Sequence, residues 1–393
     1  MISYFADFHI HVGITEAGQW VKIPTSRQLT LRSILVEAAE RKGLGIIGVV
    51  DALSPLVRAD VALLLDQGVL TLDCQGGYRY GNKLTLLLGA EIETAEPGGG
   101  CAHTLVFLPD MAQMERFAAS LAPHIRNLNL STQNAHMSLA RLVQHVAGFD
   151  AILVPAHVFT PYKSVYGACS DRLRYVLNDR ELAAISAIEL GLSADTEMAD
   201  RIDELAVFPF LSNSDAHSPA KIAREYNVLA LKAPTFEECK LALSRKEGRA
   251  ITGNFGLDPR LGKYHRTACS HCGMILKDFQ GRACPACGST KIVMGVLDRI
   301  EVISDYEVPR HPDFRPVYRH QIPLSFIPGV GKATLDKLLS CFHTEMEVLH
   351  QARPESICSL VGEKLAAAIE AARTGNVLIS SGGGGAYGKM TKE

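Results

Sequence analysis

The residues of this chain that could do chemistry are histidines and carboxylates that border short apolar runs in its first 220 residues. The opening run carries Asp7, His9 and His11 at alternate positions, and alternate side chains of a strand share one face. Asp215 and His217 are spaced in the same way after the run FPFLSN. Four further members border apolar runs between these two: Asp51, Glu91, His103 and His157. The set predicts a centre that binds several metal ions.

Hydrolysis is the chemistry that such a centre typically performs. Buried carboxylates are very costly without compensating charge, so cations are expected beside them. Histidine nitrogen with carboxylate oxygen suits zinc, manganese or iron, and magnesium suits the oxygen-rich positions. Several cations together lower the pKa of water and stabilise the leaving oxygen of a phosphoester. A single histidine is more often an ordinary hydrogen-bonded or exposed residue, so the prediction rests on the whole set.

The elements that must position these residues alternate between strand-like and helix-like segments as far as about Arg249. We assign segments of this alternation to residues 3–11, 31–42, 44–50, 83–92, 103–108, 137–147, 151–156, 182–190 and 210–213. Alternating strands and helices of these lengths favour a parallel α/β sheet or barrel. The carboxyl ends of such strands form one face, where residues distant in the sequence can meet.

Four cysteines form a second metal-binding pattern, CxxC-x11-CxxC, with a glycine after each pair: Cys269, Cys272, Cys284 and Cys287. Each CxxC turn presents two thiolates, and four sulfurs leave no open position on a tetrahedral ion. The pattern therefore predicts a structural zinc site. The alternative, a pair of redox dithiols, is disfavoured because such motifs usually follow a βαβ unit. Ten cysteines in 393 residues are too sparse for a disulfide scaffold.

A third motif, IPGVGK followed by the apolar helical pattern ATLDKLL, resembles a helix-hairpin-helix. Gly329 and Gly331 permit a tight turn whose N–H groups can face a DNA phosphate, and Lys332 adds a positive charge. Contacts of this kind bind the DNA backbone rather than its sequence. LVGEK at residues 360–364 looks like a degenerate second unit, and the alternative is a plain helical hairpin.

The charge is distributed unevenly although its sum is only -2. Residues 1–259 hold 23 Lys and Arg against 29 Asp and Glu, whereas residues 260–393 hold 17 against 13. The acidic part could hold cations and the basic part could face a polyanion. The amino terminus lacks a basic segment followed by an apolar one, and the composition is that of a globular protein. We therefore expect a cytoplasmic location and no membrane association.

The motifs of the predicted metal centre resemble those of a known superfamily. DFHIH, GVVDA, GAEIE, PAH and SDAH resemble, in their order and intervals, the motifs of the PHP (polymerase and histidinol phosphatase) superfamily. The resemblance covers about residues 1–250. It implies an α/β fold, a distorted (β/α)7 barrel with a trinuclear metal site that cleaves phosphoesters.

The same resemblance implies a ligand set, position by position. One metal would be held by His9, His11, Glu91 and Asp215, a second by Glu91, His103 and His157, and a third by Asp51 and His217. Val50-Asp51-Ala52 lacks the histidine of the usual Thr-Asp-His motif, so the third site is expected to be weak, differently built or filled only with substrate. Asp215, Glu91 and His217 are the predicted catalytic residues.

Three neighbouring residues are expected to lie outside the ligand set or at its edge. Asp7 either joins the ligands or orients a ligand imidazole from behind. Glu93 shares the strand face of Glu91 and is expected to be solvated or to stand behind a ligand. Lys22 could touch a phosphate, but an exposed lysine is the preferred interpretation.

The whole chain, a PHP-like barrel with a zinc module and a helix-hairpin-helix, resembles the endonuclease Q family. The resemblance implies nicking of damaged double-stranded DNA on the 5′ side of uracil, hypoxanthine, xanthine or an abasic site, leaving a 3′-hydroxyl and a 5′-phosphate. Two or three divalent cations (Zn²⁺, Mn²⁺ or Mg²⁺) and one structural Zn²⁺ are the expected cofactors. The alternatives are a histidinol-phosphate type phosphatase and a non-catalytic DNA-binding or scaffold protein.

Composition shifts predict the domain boundaries, and a chain of this length is expected to hold two or three domains. We assign residues 1–255 to the barrel, 263–300 to the zinc module, 320–376 to a small helical domain and 377–393 to a flexible tail rich in glycine.

Overall fold

In a computed structural model of the chain, residues 1–277, 281–377, 379–383 and 385–390 are described. The strands are β1 (Ile2–Ile10), β2 (Ile46–Val49), β3 (Thr71–Leu72), β4 (Tyr78–Tyr80), β5 (Leu84–Ala95), β6 (Cys101–Leu108), β7 (Ile152–Pro155), β8 (Ile188–Glu189), β9 (Phe210–Leu211), β10 (Tyr226–Leu231), β11 (Ala250–Gly256), β12 (Ala268–Cys269), β13 (Ile292–Val293), β14 (Tyr318–His320), β15 (Ile379–Ser380) and β16 (Lys389–Met390). The α-helices are α1 (Leu31–Val36), α2 (Pro55–Asp66), α3 (Met111–Leu121), α4 (Leu139–Val146), α5 (Asp179–Leu182), α6 (Thr196–Ala199), α7 (Phe236–Leu243), α8 (Val296–Ile303), α9 (Lys332–Phe342), α10 (Glu345–His350), α11 (Pro354–Val361) and α12 (Glu363–Thr374).

The main sheet joins ten strands of the described chain in the order β14-β11-β10-β1-β2-β5-β4-β3, with β6 on β5 and β7 on β6. β1, β2 and β5 run parallel to one another, as the alternating pattern predicts. β5, β6 and β7 are instead antiparallel. The reason lies in the connection between β5 and β6, Glu96-Pro-Gly-Gly-Gly, which is too short for the crossover that parallel neighbours require.

Backbone hydrogen bonds continue from β7 through β8 and β9 back to β1. The N–H of Val158 donates to the carbonyl of Glu189 at 3.1 Å, and the N–H of Leu190 donates to Leu211 at 3.1 Å. Ala216, beyond β9, donates to the carbonyl of His9 at 3.1 Å. Together with the pairing in the main sheet, these bonds connect β1, β2, β5, β6, β7, β8 and β9 in a ring, which is consistent with the seven-stranded barrel that the resemblance to the PHP superfamily implies.

Apolar side chains cover both faces of the central strands, which explains why these strands read as nearly continuous apolar runs. Leu86 and Leu88 of β5 belong to one buried cluster, and Leu87 between them belongs to another. The ring of Phe107 packs against β5 where Gly89 stands. A Cβ at Gly89 would lie 2.5 Å from that ring, so only glycine fits two residues before Glu91.

The helical region α9–α12 is fixed to the barrel through buried polar contacts. Lys42 and Glu345 form an ion pair of 2.8 Å with both side chains at most 3% exposed. His350 stacks on Phe5 with 4.8 Å between ring centroids, and the hydroxyl of Tyr226 lies 2.7 Å from its Nε2. Removing one partner of a buried ion pair typically lowers the free energy of unfolding by about 3–5 kcal/mol. The Lys42–Glu345 pair therefore fixes the position of the helical region on the barrel.

The described part of the predicted flexible tail forms a hairpin, β15–β16, that lies on residues 260–263. The N–H of Gly382 donates to Arg260 at 2.7 Å, and that of Gly388 donates to Leu261 at 3.0 Å. A Cβ at Gly388 would lie 2.4 Å from the carbonyl oxygen of Arg260. The tail glycines therefore allow the backbone of the hairpin to lie close to the backbone of residues 260–263. Leu378, Gly384 and residues 391–393 of the predicted tail lie outside the described residues.

Within the part of the chain that the structure describes, no helix combines the length and the apolar character needed to cross a membrane.

Candidate metal centre

The first donor group of the centre comprises His9, His11 and Asp215. The two histidines stand at the end of β1 with ring centroids 5.1 Å apart. Oδ1 of Asp215 lies 3.7 Å from Nε2 of His9 and 3.6 Å from Nε2 of His11. Two ligands of one zinc ion, each bonded at about 2.0–2.2 Å, lie at such separations.

The second donor group comprises Glu91 of β5, His103 of β6 and His157, which follows β7. Oε1 of Glu91 lies 2.7 Å from Nδ1 of His103 and 3.4 Å from Nε2 of His157. The antiparallel pairing of β5 with β6 sets this geometry, because it places Glu91 and His103 near one another across the ladder.

Glu91 lies between the two groups. Its Oε1 is 3.5 Å from Nε2 of His9, and its Oε2 is 3.5 Å from Nε2 of His11. Nε2 of His9 and Nδ1 of His103 are buried, and among the described residues neither makes a hydrogen bond of good geometry, although Oε1 of Glu91 lies near both. A buried ring nitrogen without a hydrogen bond is costly, and a cation in each group would bind its lone pair. The donor set thus fits two metal ions that share Glu91.

The electrostatic balance keeps the carboxylates of the centre ionised. Burial alone would raise the pKa of Glu91, but His103 and the Lys22 ammonium hold it well below its usual value. Burial has the same effect on Asp215, and His9, His217 and His11 outweigh it to lower the pKa. Metal ligands must be deprotonated, so both side chains are in the required form.

Three carboxylates contact imidazoles of the two donor groups, each at the ring nitrogen that faces away from the centre. Glu189 lies 3.1 Å from Nδ1 of His9 and Asp51 lies 3.0 Å from Nδ1 of His11. Glu93 lies 3.2 Å from Nε2 of His103. Contacts of this type fix the tautomer and orientation of each ring. The position of Glu93 matches one of its two predicted roles.

Glu189 is the functional residue that sequence reasoning missed. It is fully buried at the end of β8 and also accepts a hydrogen bond from Asn213 at 2.9 Å. The signal was present, because Glu189 closes the apolar run AISAIEL in the same way that Glu91 closes LLLGAE.

Asp7 has neither of its two predicted roles. It lies outside both donor groups and touches no imidazole among the described residues. Its oxygens accept hydrogen bonds from the N–H groups of Ser214 and Ala223, each at 3.0 Å, and of His9 at 3.3 Å. Burial raises its pKa to about 6 despite these bonds. Asp7 therefore ties β1 to the segment that carries Asp215.

Asp51 and His217 do not come together as a third donor group. The oxygens of Asp51 face Nδ1 of His11, the N–H of Val12 at 2.5 Å and the hydroxyl of Ser131. Nδ1 of His217 lies 3.0 Å from the carbonyl oxygen of Asp215. Burial and neighbouring His11 lower the pKa of His217 to about 4, so its imidazole is neutral at pH 7.

The expectation that Lys22 is exposed is wrong. Its side chain is 12% exposed, and Nζ lies 3.1 Å from Oε2 of Glu91. The loop after β1 folds back over the centre, because the N–H of Val21 donates to Gly13 and the N–H of Ser131 donates to Val21, both at 2.9 Å. Burial by itself would lower the pKa of Lys22, but Glu91, Asp51 and Asp215 raise it above its usual value.

Two of the predicted ligands have backbone angles that are rare for residues other than glycine. Asp215 has φ +45° and His157 has φ +32°. Such angles cost of the order of 1–3 kcal/mol each and persist where the surrounding structure imposes them. Their coincidence with the donor groups is typical of a functional site.

A cleft of about 410 Å³ opens beside the centre, with His157, Asp215 and His217 in its wall. Four cationic side chains line it: Lys163, Lys221, Arg224 and Lys263. Three tyrosines also line it: Tyr162, Tyr264 and Tyr387. A cleft with this lining suits a phosphate group beside an aromatic base.

The four predicted zinc ligands lie together around one point, with all four sulfurs within 4.8 Å of one another. Sγ of Cys269 is 3.7 Å from Cys287, and Sγ of Cys272 is 3.6 Å from Cys284. Tetrahedral Zn–S bonds of about 2.3 Å give separations of this size. The glycine after each CxxC pair has positive φ, as the tight turns require.

The predicted DNA-binding residues Gly329, Gly331 and Lys332 lie on an exposed turn. Gly329 has φ +98°, and α9 begins at Lys332 with no side-chain cap on its N-terminus. The turn between α11 and α12 has a similar form around Gly362, φ +83°. Nζ of Lys337 donates to the carbonyl of Leu360 at 2.6 Å and joins the two hairpins.

Comparison with known proteins identifies the family of this chain. No family model matches the chain. The uncharacterized protein YqxK of Bacillus subtilis (strain 168) is 44% identical to this chain over an alignment of 397 residues. The alignment covers 99% of this chain and 100% of that protein. The crystal structure of the lesion-specific endonuclease PfuEndoQ from Pyrococcus furiosus is 33% identical, with a TM-score of 0.85, over 99% of this chain and 95% of that one. The chain belongs to the endonuclease Q family.

A second endonuclease Q structure, in complex with a 27-mer duplex substrate with an abasic lesion at the active site, has a TM-score of 0.86 at 33% identity. It covers 100% of this chain and 97% of the other. The predictions of the family, of the α/β fold class and of a phosphodiester-cleaving DNA endonuclease are therefore confirmed.

Proposed function

We propose that the protein is a metal-dependent endonuclease that nicks damaged double-stranded DNA 5′ to a deaminated base or an abasic site. Uracil, hypoxanthine and xanthine are the proposed bases, and the products carry a 3′-hydroxyl and a 5′-phosphate. The observation that carries the proposal is the pair of donor groups joined by Glu91 beside a cleft lined with cations and tyrosines. The abasic duplex bound by the related endonuclease Q supports the substrate class.

The residues would hold two divalent cations, Zn²⁺, Mn²⁺ or Mg²⁺. His9, His11 and Asp215 would hold one, and His103 and His157 the other, with Glu91 shared between them. Cations in these positions supply an activated water and neutralise the phosphate oxygens. The three carboxylates behind the rings keep the donor atoms aimed at the centre.

The cleft side chains would position the scissile phosphate. Lys221, Arg224 and Lys263 line the same cleft as Asp215, and their positive charge would attract the backbone of a nucleic acid. A damaged nucleotide turned out of the duplex would stack near Tyr264 and Tyr162, which meet edge to face with 5.8 Å between centroids.

His217 is suited to move a proton during hydrolysis. Its Nδ1 faces the carbonyl of Asp215 at 3.0 Å, so Nδ1 carries the hydrogen and Nε2 is left as an acceptor. The low pKa keeps the ring neutral at pH 7, in the form that can accept a proton. We assign Nε2 of His217 the role of general base or proton relay at the cleft.

The zinc module and the paired hairpins would grip the duplex on either side of the lesion. A structural Zn²⁺ on the four cysteines would fix the first module. The exposed turn at residues 329–332 would place backbone N–H groups and Lys332 on DNA phosphates. A phosphatase for small esters would have no use for either element, which favours the nuclease.

A panel of end-labelled duplexes tests this function. Matched duplexes carry uracil, hypoxanthine, xanthine, an abasic site or no damage, and each is incubated with Mg²⁺ or Mn²⁺. We expect a single nick 5′ to each lesion, a 3′ end that a polymerase extends and a 5′ end that ligase accepts. Equal nicking of undamaged DNA would overturn the lesion specificity, and release of phosphate from small esters alone would indicate the phosphatase.

A further inference from the structure

The carboxyl-terminal hairpin β15–β16 is fastened to a segment that lines the cleft beside the metal centre. The N–H of Gly385 donates to the carbonyl of Lys263 at 3.0 Å, and the N–H of Gly388 donates to Leu261 at 3.0 Å. Lys263 is itself a residue of the cleft wall. These two bonds lie on either side of Tyr387 in the sequence, so the backbone that carries this tyrosine is held against the cleft.

The side chain of Tyr387 lies in the cleft together with His157 and Asp215 of the two donor groups. It is 45% exposed, and among the described residues its ring contacts no other aromatic ring. Tyr162 and Tyr264 of the same cleft differ, because they meet each other edge to face. Tyr387 therefore presents an open aromatic surface to a ligand that enters the cleft.

Arg224 connects the hydroxyl end of Tyr387 to the backbone beside the centre. Arg224 is 5% exposed; its Nε donates to the carbonyl of Ser214 at 2.7 Å, and its Nη2 donates to that of Asp215 at 3.3 Å. Partial burial raises the pKa of Tyr387, but the charge of Arg224, a hydrogen bond from it and two lysines of the cleft lower the pKa below its usual value. The hydroxyl is thus engaged by Arg224, and the ring remains free to bind a ligand.

We propose that Tyr387 is a substrate-contacting residue on whose ring the base of the damaged nucleotide stacks. The inference rests on the proposed function, nicking at this cleft, and deepens it. An aromatic ring binds the face of any base, while neighbouring cations attract the phosphates. A volume of about 410 Å³ is within the range of cavities that enclose small ligands. The carboxyl-terminal hairpin is therefore part of the active site rather than a passive tail.

The effect of Tyr387 on nicking should depend on whether the lesion retains a base. An abasic site has no base to stack, so Tyr387 can favour nicking beside uracil, hypoxanthine or xanthine but not beside an abasic site. A residue that only supported the fold of the cleft would affect all of these duplexes alike. The ratio of the rates on two lesions therefore separates a contact with the base from a structural role.

The experiment measures kcat/KM, in the presence of Mn²⁺, for nicking of two duplexes that differ only at the lesion, one with hypoxanthine and one with an abasic site. We expect Tyr387→Ala to lower the value for hypoxanthine by about 10-fold, as loss of one stacked base does, and to leave the value for the abasic site unchanged. Tyr387→Phe keeps the ring and should keep the wild-type ratio between the duplexes. Tyr175→Ala, at a tyrosine that is 71% exposed and outside the cleft, is the matched control and should also keep it.

Equal losses on the two duplexes in Tyr387→Ala, or no loss on either, would overturn the inference. So would a loss for Tyr387→Phe as large as that for Tyr387→Ala, because the hydroxyl rather than the ring would then matter. In each of these cases the wild-type protein still nicks, so the proposed function stands. A wild-type protein that nicks neither duplex, or only the abasic one, would contradict the proposed function and the inference with it. Thermal unfolding checks that the fold is kept, and Tyr387→Leu, which has no aromatic face, replaces Tyr387→Ala if that variant is unstable.

Discussion

Glu189 stands directly behind His9: its carboxylate lies 3.1 Å from Nδ1, while Nε2 of the same ring faces Asp215 and Glu91. Both side chains are fully buried. The position of a candidate metal ligand on β1 is thus set by a residue of β8, two strands away in the ring.

Glu189→Gln should therefore weaken metal binding without removing a ligand. An amide holds the ring less strongly and donates less electron density through it, and loss of such a partner typically costs about 10–100-fold in metal affinity. The measurement is a Mn²⁺ titration of the protein alone. Glu301→Gln, on an exposed position of α8, is the control. An unchanged affinity in Glu189→Gln would contradict the role assigned to the carboxylate.

Cys272→Ala should remove one zinc ion per chain. Three thiolates hold zinc less well than four, and binding of a structural zinc contributes directly to folding of its module. Elemental analysis after dialysis gives the count, and limited proteolysis of residues 263–300 reports the loss of order. Cys239→Ala, at a buried cysteine outside the cluster, should keep the ion. Equal zinc in the two variants would count against the four-cysteine site.

Lys332→Ala should weaken DNA binding by a similar factor for every sequence and lesion. Lys332 is exposed at the N-terminus of α9, where it would meet a phosphate rather than a base. Loss of one phosphate contact lowers the slope of log affinity against log salt by about 0.9. Binding isotherms at several salt concentrations measure that slope, with Lys83→Ala as control. A loss confined to one lesion would place Lys332 in base recognition instead.

Glu225 should make stability depend on pH. Burial raises the pKa of this carboxyl to about 8, against a usual value of 4.5. Below pH 4.5 it is protonated in both folded and unfolded chains. As pH rises from 4.5 to 8 only the unfolded chain ionises, so the folded state loses up to about 5 kcal/mol, and above pH 8 the loss is complete.

Glu225→Gln has no proton to lose and should escape this dependence. Relative to the wild-type protein, its free energy of unfolding should increase between pH 5 and pH 9. Urea unfolding at pH 5, 7 and 9 measures the difference, with Glu301→Gln as control. Parallel curves for Glu225→Gln and wild type would mean that the carboxyl is already ionised in the folded chain.

Much of the site could be predicted because its residues close apolar runs. His9, His11, Glu91, His103, His157 and Asp215 are polar residues that border predicted strands, and in a barrel such positions share one face. The antiparallel pairing of β5 with β6 can also be predicted from the sequence, because the connection Glu96-Pro-Gly-Gly-Gly is too short for a crossover. The apolar runs on either side look alike, however, and by themselves they predict that the parallel arrangement continues.

The rest depends on tertiary contacts that local patterns do not encode. Lys22 is buried only because its loop pairs with Ser131, more than a hundred residues away. Asp51 contacts Nδ1 of His11 and joins neither donor group, an arrangement that follows from the pairing of β1 with β2. The glycine-rich tail looks flexible in composition, yet its described residues need glycine for close approach to Arg260.

The most direct test of the account compares wild-type protein with Asp215→Asn on an abasic duplex in the presence of Mn²⁺. Asparagine keeps the size of the side chain but removes the anionic ligand of the first donor group. We expect a nick 5′ to the lesion for the wild-type protein, a rate at least about 100-fold lower for Asp215→Asn, and unchanged duplex affinity. Nicking at the wild-type rate by Asp215→Asn would contradict the assignment of this centre as the active site.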